Sequence, residues 1–347
     1  MTTRTTVVAS EGAPDPMATT APVLEVEHLR VVFRQGEKTT YAVNDVSLSV
    51  PLGRTLAVIG ESGSGKSVMS RALMGLLPTT ATITGSVRLL GQEILGLPEN
   101  DLRQRRGKDM AMIFQDPTRS LNPTMKIGTQ IAENIRIHEK DVSRKEAIAR
   151  AVELLRVVRV PAPDRRVEEY PHQLSGGMRQ RVMIAIALAC QPKLLIADEA
   201  TTALDVTTQA QVMDLLLDLQ QQFGMSMILI SHDMGIAATY ADDVAVMYAG
   251  DVVERAPVTE LFGHVRMPYT RMLLDAVPRL DRPAHALIPV TAARPPDLSK
   301  AATSCRFAAR CPRVQDDCLQ THPPLEEHED KHAWACFHPI PLERTSA

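Results

Sequence analysis

The chain has 347 residues, of which 44% are hydrophobic and 23% charged, a composition typical of folded globular proteins with room for two domains. Lys and Arg total 38 against 41 for Asp and Glu, and this net charge of −3 argues against a nucleic-acid-binding protein, which usually carries a basic excess. The longest apolar stretch, 183–197, is interrupted by Gln191, Pro192 and Lys193, so neither a membrane span nor an N-terminal signal peptide is predicted. We expect a soluble, cytosolic chain.

The order of predicted elements indicates an α/β protein. Residues 1–22 are rich in Thr, Ala and Pro and predict a disordered leader. From Val23 onwards, short apolar strands alternate with helical patterns, which is typical of a largely parallel sheet covered by helices on both faces. The predicted strands are Thr55–Gly60, Met110–Phe114, Leu194–Asp198 and Ser226–Ser231, and the predicted helices include Val68–Leu77, Arg144–Arg156, Gly177–Cys190 and Asp205–Gln222.

A glycine-rich turn follows the first of these strands and precedes a helical pattern, which is the context expected of a P-loop. Backbone N–H groups of such a turn, at the start of a helix, can hold the phosphates of a nucleotide. Lys66 can reach the β- and γ-phosphates, and the Ser67 hydroxyl can ligate Mg²⁺. The turn consists of Gly60, Glu61, Ser62, Gly63, Ser64, Gly65, Lys66 and Ser67.

Two acidic residues stand at the end of the third predicted strand. Asp198 is the expected carboxylate for Mg²⁺, and Glu199, one residue further, is placed to polarise an attacking water as a general base. A P-loop by itself is compatible with a kinase, a GTPase or a transport ATPase, and this acidic pair narrows the choice. A strand end often carries solvated acids without any function, but the P-loop upstream favours a functional pair.

The sequence Leu174-Ser175-Gly176-Gly177-Met178-Arg179-Gln180 precedes these acids and opens a helix. Ser175 and the amides of Gly176 and Gly177 can form an anion cradle at the helix N-terminus. Here the sequence resembles the ABC ATPases, from about residue 24 to residue 263. The resemblance implies a RecA-like P-loop nucleotide-binding domain over 23–263, with a helical subdomain at about 116–185. It also implies a head-to-tail dimer in which this loop closes over ATP bound by the opposite subunit.

Further positions acquire roles from the same resemblance. Gln115 corresponds to the glutamine that contacts Mg²⁺ and senses the membrane subunit, and Asp205 belongs to the loop that crosses the dimer interface. His232 corresponds to the histidine that contacts the γ-phosphate. Phe33 stands where the family places a ring that stacks on adenine, with Tyr41 as the competing aromatic residue.

Other segments narrow the resemblance to the ATPases of dipeptide, oligopeptide and nickel importers; they are 114–117, 120–123, 170–175 and 268–270. This subfamily implies uptake of di- or oligopeptides, with nickel chelates or glutathione as alternative cargo. The implied partners are a second ATPase, more often a homologue than a second copy, two transmembrane permease subunits and an extracytoplasmic binding protein. The implied location is the cytoplasmic face of the inner membrane. The rival interpretation, a soluble ABC ATPase outside transport, is disfavoured because the cassette is single and uninterrupted.

The C-terminal segment carries four of the five cysteines, and in an intracellular chain such a cluster predicts a metal site before it predicts disulfides. Cys305, Cys311, Cys318 and Cys336 lack the paired Cys-x-x-Cys spacing of common zinc sites. They resemble the C-terminal region of peptide-importer ATPases, which implies a small metal-binding domain over 264–347 with a [4Fe–4S] cluster. Zinc is the second interpretation and unmetallated thiols the third. Cys190 is predicted to be a small core residue in a helix.

Overall fold

The computed structural model describes residues 21–116, 120–201, 205–277 and 296–342, so the predicted leader lies almost entirely outside the described residues. The strands are β1 Leu24–Gln35, β2 Lys38–Val50, β3 Thr55–Ile59, β4 Ala81–Leu89, β5 Gln92–Glu93, β6 Met110–Ile113, β7 Leu194–Asp198, β8 Ser226–Ser231, β9 Asp243–Tyr248, β10 Asp251–Pro257, β11 Glu326–Glu327 and β12 Ala333–Trp334.

The helices are α1 Lys66–Leu73, α2 Glu99–Arg105, α3 Ile127–His138, α4 Arg144–Val157, α5 Pro163–Arg166, α6 Gly176–Ala187, α7 Val206–Phe223, α8 Met234–Tyr240, α9 Val258–Gly263, α10 Pro268–Ala276 and α11 Asp316–Gln320. Short 3₁₀ turns include Pro171–Gln173 and Ala308–Arg310. In the part of the chain that the structure describes, no helix combines the length and apolarity that a membrane span requires.

The larger sheet has eight strands in the order β11-β12-β10-β9-β3-β8-β7-β6. Its five strands from β9 to β6 run parallel, which confirms the predicted α/β class. Every residue of β3, β6, β7 and β8 is buried, as expected where helices cover both faces. β7 and β8 match their predicted bounds, whereas β3 and β6 each end one residue earlier.

The smaller sheet, in the order β2-β1-β4-β5, is antiparallel and was not predicted. Its strands alternate buried and exposed residues imperfectly, because the pairing of β1 with β2 shifts register at several points. His28 and Asp45 have positive φ values of 52° and 50°, and they lie within the regions of these irregularities. Such irregularities interrupt the two-residue period by which a strand is recognised in a sequence.

Helices α3 to α6 form the insertion between β6 and β7, and α3, α4 and α6 share one apolar core in which Ile131, Ile135, Leu155 and Ile184 are fully buried. The predicted helical insertion is therefore present. The prediction that Cys190 lies within a helix was wrong: α6 ends at Ala187, and Cys190 occupies the turn that follows. Pro192 disfavours helical backbone at the preceding residue, and Gln191 has a φ of 52°.

Helix α1 also differs from its prediction, since it begins at Lys66 and ends at Leu73. Gly75, with a φ of 62°, turns the chain out of the helix immediately afterwards. The helix therefore starts within the P-loop sequence, and this places the backbone N–H groups of that turn at a helix N-terminus.

The C-terminal tail, residues 296–342, is built onto the body of the molecule. β12 pairs antiparallel with β10, so the tail extends the larger sheet. Phe307 is 1% exposed and belongs to the same core cluster as Ile59 of β3 and Val246 of β9. The boundary predicted near residue 263 stays a prediction, and the described residues on both sides of it share a sheet and a core.

Replacing Phe307 with Ala should lower the free energy of unfolding by about 3–5 kcal/mol, because the change leaves a cavity in the core between tail and body. Urea unfolding should be followed by the fluorescence of Trp334, the single tryptophan, and by circular dichroism of the whole chain.

As a control, Leu319→Ala alters a tail side chain that is exposed, and it should change stability by no more than about 0.5 kcal/mol. Fluorescence and circular dichroism should give coincident transitions in the unmodified chain. A tail transition well below that of the body would contradict the shared core.

Candidate active site

The P-loop sequence connects β3 to α1 and folds as a tight turn. Gly63 and Gly65 have φ values of 81° and 104°, a backbone conformation that residues with side chains rarely adopt. A Cβ atom on Gly65 would also lie 2.5 Å from the carbonyl oxygen of Ala42. These glycines are therefore required by the turn itself.

Lys66 points back into this turn. Its Nζ donates to the carbonyl oxygens of Gly60 at 2.7 Å and Glu61 at 2.9 Å, and the residue is 4% exposed. Burial lowers the pKa of Lys66, while the carboxylates of Glu199, Asp198 and Glu61 oppose that change. A buried ammonium ringed by oxygens is a site that a phosphate group complements electrostatically.

Ser67 and Asp198 meet where the P-loop helix faces the end of β7. The Ser67 hydroxyl donates to Asp198 Oδ1 at 2.9 Å, and Asp198 is 2% exposed. Burial raises the pKa of Asp198, and the hydrogen bond from Ser67 opposes this rise. A hydroxyl and a carboxylate are hard oxygen ligands of the type that Mg²⁺ prefers, so this donor set fits the predicted ion.

Glu199, Gln115 and His232 converge beside this pair. Gln115 Nε2 donates to Glu199 Oε2 at 2.6 Å, and His232 Nδ1 lies 3.7 Å from Glu199 Oε1. The three residues follow β6, β7 and β8, adjacent parallel strands whose carboxyl ends lie at one edge of the sheet. Glu199 has a φ of 47°, an uncommon backbone conformation for a residue with a side chain.

Two further predicted residues serve as helix caps within the chain. The Ser175 hydroxyl accepts from the N–H of Met178 at 3.3 Å, with Gly176 and Gly177 in the first turn of α6. The Asp205 carboxylate caps α7 by accepting from Thr208. Ser175 and Gly176 are exposed. Pro117 and residues 202–204 lie outside the described residues.

The two candidate adenine-stacking residues lie in different surroundings. Phe33 is partly buried and packs against the core cluster that includes Met69 of α1. Tyr41 lines a cavity between the smaller sheet and the tail, and its N–H donates to the carbonyl oxygen of Leu298. The choice of Phe33 over Tyr41 as the adenine-stacking residue stays a prediction.

The four tail cysteines line one small cavity together with apolar residues that include Met267 and Phe307. None of the five cysteines, all within the described residues, forms a disulfide. Burial raises the pKa of Cys305 and Cys311, and it raises the pKa of Cys336 to about 11. Cys190 is elsewhere, with its Sγ 3.7 Å from the carbonyl oxygen of Asn134.

An apolar groove lies beside Gln115, between the end of β6 and the helical layer. Phe114 and Leu76 on its wall are each 39% exposed, which is unusual for large apolar side chains. The remaining apolar wall is formed by Met74, Ala111, Met112, Leu121, Met183, Ile186 and Ala187.

Two residues that touch the P-loop, Arg310 and Tyr269, were not among the predicted site residues, although Tyr269 lies in the segment 268–270 that resembles the subfamily. Arg310 makes two hydrogen bonds to the Glu61 carboxylate, and the Tyr269 hydroxyl accepts the Glu61 N–H. The position of Arg310 immediately before Cys311 is the only sequence feature that singles it out, and it indicates the cysteine site rather than the P-loop.

Comparison with protein families gives two matches along the chain. The family described as "ABC transporter" matches residues 43–202, and the family described as "Oligopeptide/dipeptide transporter, C-terminal region" matches residues 253–318. The oligopeptide transport ATP-binding protein OppD of Salmonella typhimurium is 46% identical over 93% of this chain and 97% of its own length. The OppD proteins of Mycobacterium bovis and Mycobacterium tuberculosis are 49% identical over 91% of this chain, which spans only 52% of their length.

Among solved structures, the ATP-binding cassette MJ0796, a dimer bound to ADP and Pi, superposes with a TM-score of 0.61. It is 28% identical and covers 68% of this chain and 98% of its own. The cbiO1 protein of Clostridium perfringens, described as part of an ABC transporter complex, gives a TM-score of 0.59 at 26% identity, over 70% of this chain and 91% of its own.

Proposed function

Because the chain belongs to the ATP-binding proteins of oligopeptide and dipeptide ABC transporters, we propose that it binds and hydrolyses ATP to power peptide uptake. The observation that carries this proposal is the assembly at one sheet edge. There the P-loop hydroxyl of Ser67 is hydrogen-bonded to Asp198, and Glu199 is held beside it by Gln115.

In this proposal backbone N–H groups of the P-loop at the start of α1 hold the phosphates, and Lys66 leaves its carbonyl partners to reach the β- and γ-phosphates. Ser67, Asp198 and Gln115 would hold Mg²⁺, which when bound would supply positive charge to offset that of the β- and γ-phosphates. Glu199 accepts a proton from the attacking water, His232 contacts the γ-phosphate, and Phe33 stacks on adenine.

A head-to-tail dimer completes the proposed site. Ser175 and Gly176 are exposed and Gly177 is partly buried at the start of α6, where the N–H groups of a helix N-terminus can bind an anion from another subunit. Asp205 stands at the proposed crossing point between subunits. The second subunit is proposed to be a homologous ATPase rather than another copy, and the dimeric MJ0796 cassette supports the dimer itself.

The apolar groove beside Gln115 is the proposed docking site for a cytoplasmic segment of a permease subunit. Its exposed Phe114 directly precedes Gln115 in the chain. A segment that packs on Phe114 therefore also affects the position of Gln115, which is hydrogen-bonded to Glu199. This connection links cargo movement to hydrolysis. An extracytoplasmic binding protein supplies the cargo, and the chain is peripheral at the cytoplasmic face of the inner membrane.

The names of the relatives refer to oligopeptides or peptides, which favours peptide cargo over nickel chelates and glutathione. The same names disfavour a soluble ATPase outside transport.

For the tail we propose a structural [4Fe–4S] cluster held by Cys305, Cys311, Cys318 and Cys336. Four thiols in one apolar cavity are the donor set of such a cluster. A tetrahedral zinc site with Zn–S bonds of about 2.3 Å would bring its sulfur atoms to about 3.8 Å from one another. Within the described residues, the one trio of ligand atoms within 4.8 Å is Asp317, Cys318 and His338, so the four sulfurs are more widely spaced than zinc requires.

Changing Glu199 to Gln should lower the rate of ATP hydrolysis by about 10²–10⁴-fold and leave ATP affinity intact, because the amide keeps the shape but cannot accept the proton. Lys66→Ala should instead weaken nucleotide binding itself. ATPase assays on the assembled transporter and nucleotide titrations of the purified chain separate the two effects.

The control for this pair is Glu153→Gln, which removes an exposed carboxylate on α4 and should change neither quantity. Hydrolysis at the normal rate by the Glu199→Gln protein would refute the assignment of the general base.

Leu76→Asp places a charge in the groove and should abolish co-purification with the permease subunits, since burying an unpaired carboxylate is costly. The affinity for Mg-ATP should not change. Leu342→Asp, at a tail residue outside the groove that is 56% exposed, is the matched control. Retention of the permeases by the Leu76→Asp protein would rule out docking at this groove.

Protein purified without oxygen should be brown and contain about four irons per chain. Cys311→Ser should lose most of the iron and make the tail sensitive to protease, because so small a segment depends on its metal. Cys190→Ser should retain colour and iron. Colourless protein with one equivalent of zinc would disprove the cluster while leaving a structural metal in place.

A further inference from the structure

Glu61 of the phosphate-binding turn is bonded to two residues from the C-terminal part of the chain, Arg310 and Tyr269. Arg310 Nη1 donates to Glu61 Oε2 at 2.7 Å, and Arg310 Nη2 donates to Glu61 Oε1 at 2.8 Å. The N–H of Glu61 donates to the hydroxyl of Tyr269 at 2.9 Å. The side chain of Glu61 is therefore held by the tail, through Arg310, and its backbone by α10, through Tyr269.

The ion pair is built for a defined geometry. The Arg310 side chain is 9% exposed, and the parallel pair of hydrogen bonds matches the planar guanidinium to the planar carboxylate. The guanidinium carbon also lies 5.7 Å from the centre of the Tyr248 ring and 5.9 Å from that of Phe307. A surface pair held only by charge would lack these supports.

Glu61 also contacts Lys66, the lysine of the P-loop. The carbonyl oxygen of Glu61 accepts from Lys66 Nζ at 2.9 Å, next to the bond from Lys66 to Gly60. The backbone of Glu61 therefore supplies one of the oxygen atoms that hold Lys66 in the turn. A displacement of Glu61 would therefore change the shape of the phosphate-binding turn.

Arg310 also lies next to the cysteine cavity, because it directly precedes Cys311 in the chain. It closes the 3₁₀ turn 308–310, with its N–H donating to the Phe307 carbonyl oxygen, and Cys311 follows directly. Phe307 lines the cavity, and its ring packs edge-on against Tyr269 at 5.4 Å between centroids. The walls of the cavity and the two anchors of Glu61 are thus parts of one packed unit.

We propose that Arg310 and Tyr269 are positioning residues for the P-loop, through which the tail sets the affinity of the site for Mg-ATP. The inference rests on the proposed ATP-binding function. Arg310 neutralises a carboxylate that stands within the phosphate-binding turn. Without Arg310, the negative charge of Glu61 opposes the triphosphate, and the turn loses its fixed geometry. Tyr269 holds the backbone of the same residue.

The test measures the dissociation constant of Mg-ATP with the full-length chain, together with the urea midpoint of each variant. Arg310→Gln should weaken binding by about 10-fold or more, because it leaves the Glu61 charge unpaired. Tyr269→Phe should weaken binding less, since it removes one neutral hydrogen bond. Arg313→Gln, an exposed arginine two residues beyond Cys311, is the matched control and should bind normally.

The decisive variant is the double substitution of Arg310→Gln with Glu61→Gln, which removes both charges. If Arg310 acts through the ion pair, the double variant should bind Mg-ATP with an affinity within about threefold of that of the Glu61→Gln protein. The effects of the two substitutions on affinity would then not be additive. Additive effects, or a lowered urea midpoint with normal affinity, would show that Arg310 only anchors the tail and would overturn the inference. Failure of the unmodified chain to bind Mg-ATP would overturn the proposed function as well, whereas normal binding by every variant would overturn this inference alone.

Discussion

The parallel alignment of β3, β8, β7 and β6 is the constraint on which the site depends. Parallel pairing sends the carboxyl ends of these strands to the same edge of the sheet. The P-loop, Gln115, Glu199 and His232 are separated by long stretches of chain, yet they follow these strands and meet at that edge. The hydrogen bond between Ser67 and Asp198 connects the first of these segments to the third.

Two buried groups of opposite charge, Lys66 and Asp198, lie at this edge. Burial lowers the pKa of Lys66 and raises that of Asp198, so burial disfavours the charged form of each group. Hydrogen bonds from Lys66 to carbonyl oxygens and from Ser67 to Asp198 offset part of this cost. In the proposed function, a triphosphate and Mg²⁺ bring the opposite charges for both groups, and this complementarity supplies both affinity and specificity for the metal-bound nucleotide.

The tail is part of this arrangement rather than an appendage. The rings of Tyr248, Tyr269 and Phe307 lie 4.5–5.4 Å apart between centroids and join β9, α10 and the tail in one packed cluster. Because the interior of a protein is closely packed, a change at one wall of such a cluster shifts its neighbours. This packed cluster contacts the P-loop through Tyr269 and lines the cysteine cavity through Phe307.

Contiguous patterns of the sequence determined the P-loop, the Asp198-Glu199 pair, the buried parallel strands and the helical insertion, because each depends on residues close together in the chain. The tertiary structure alone decided the antiparallel sheet, whose irregular register hides its period, and the end of α6 before Cys190. It also decided which elements share a core.

The bond from Arg310 to Glu61 spans 249 positions, and that from Glu61 to Tyr269 spans 208. A single sequence carries no signal for such pairs, since they arise only when the sheet and the tail pack together.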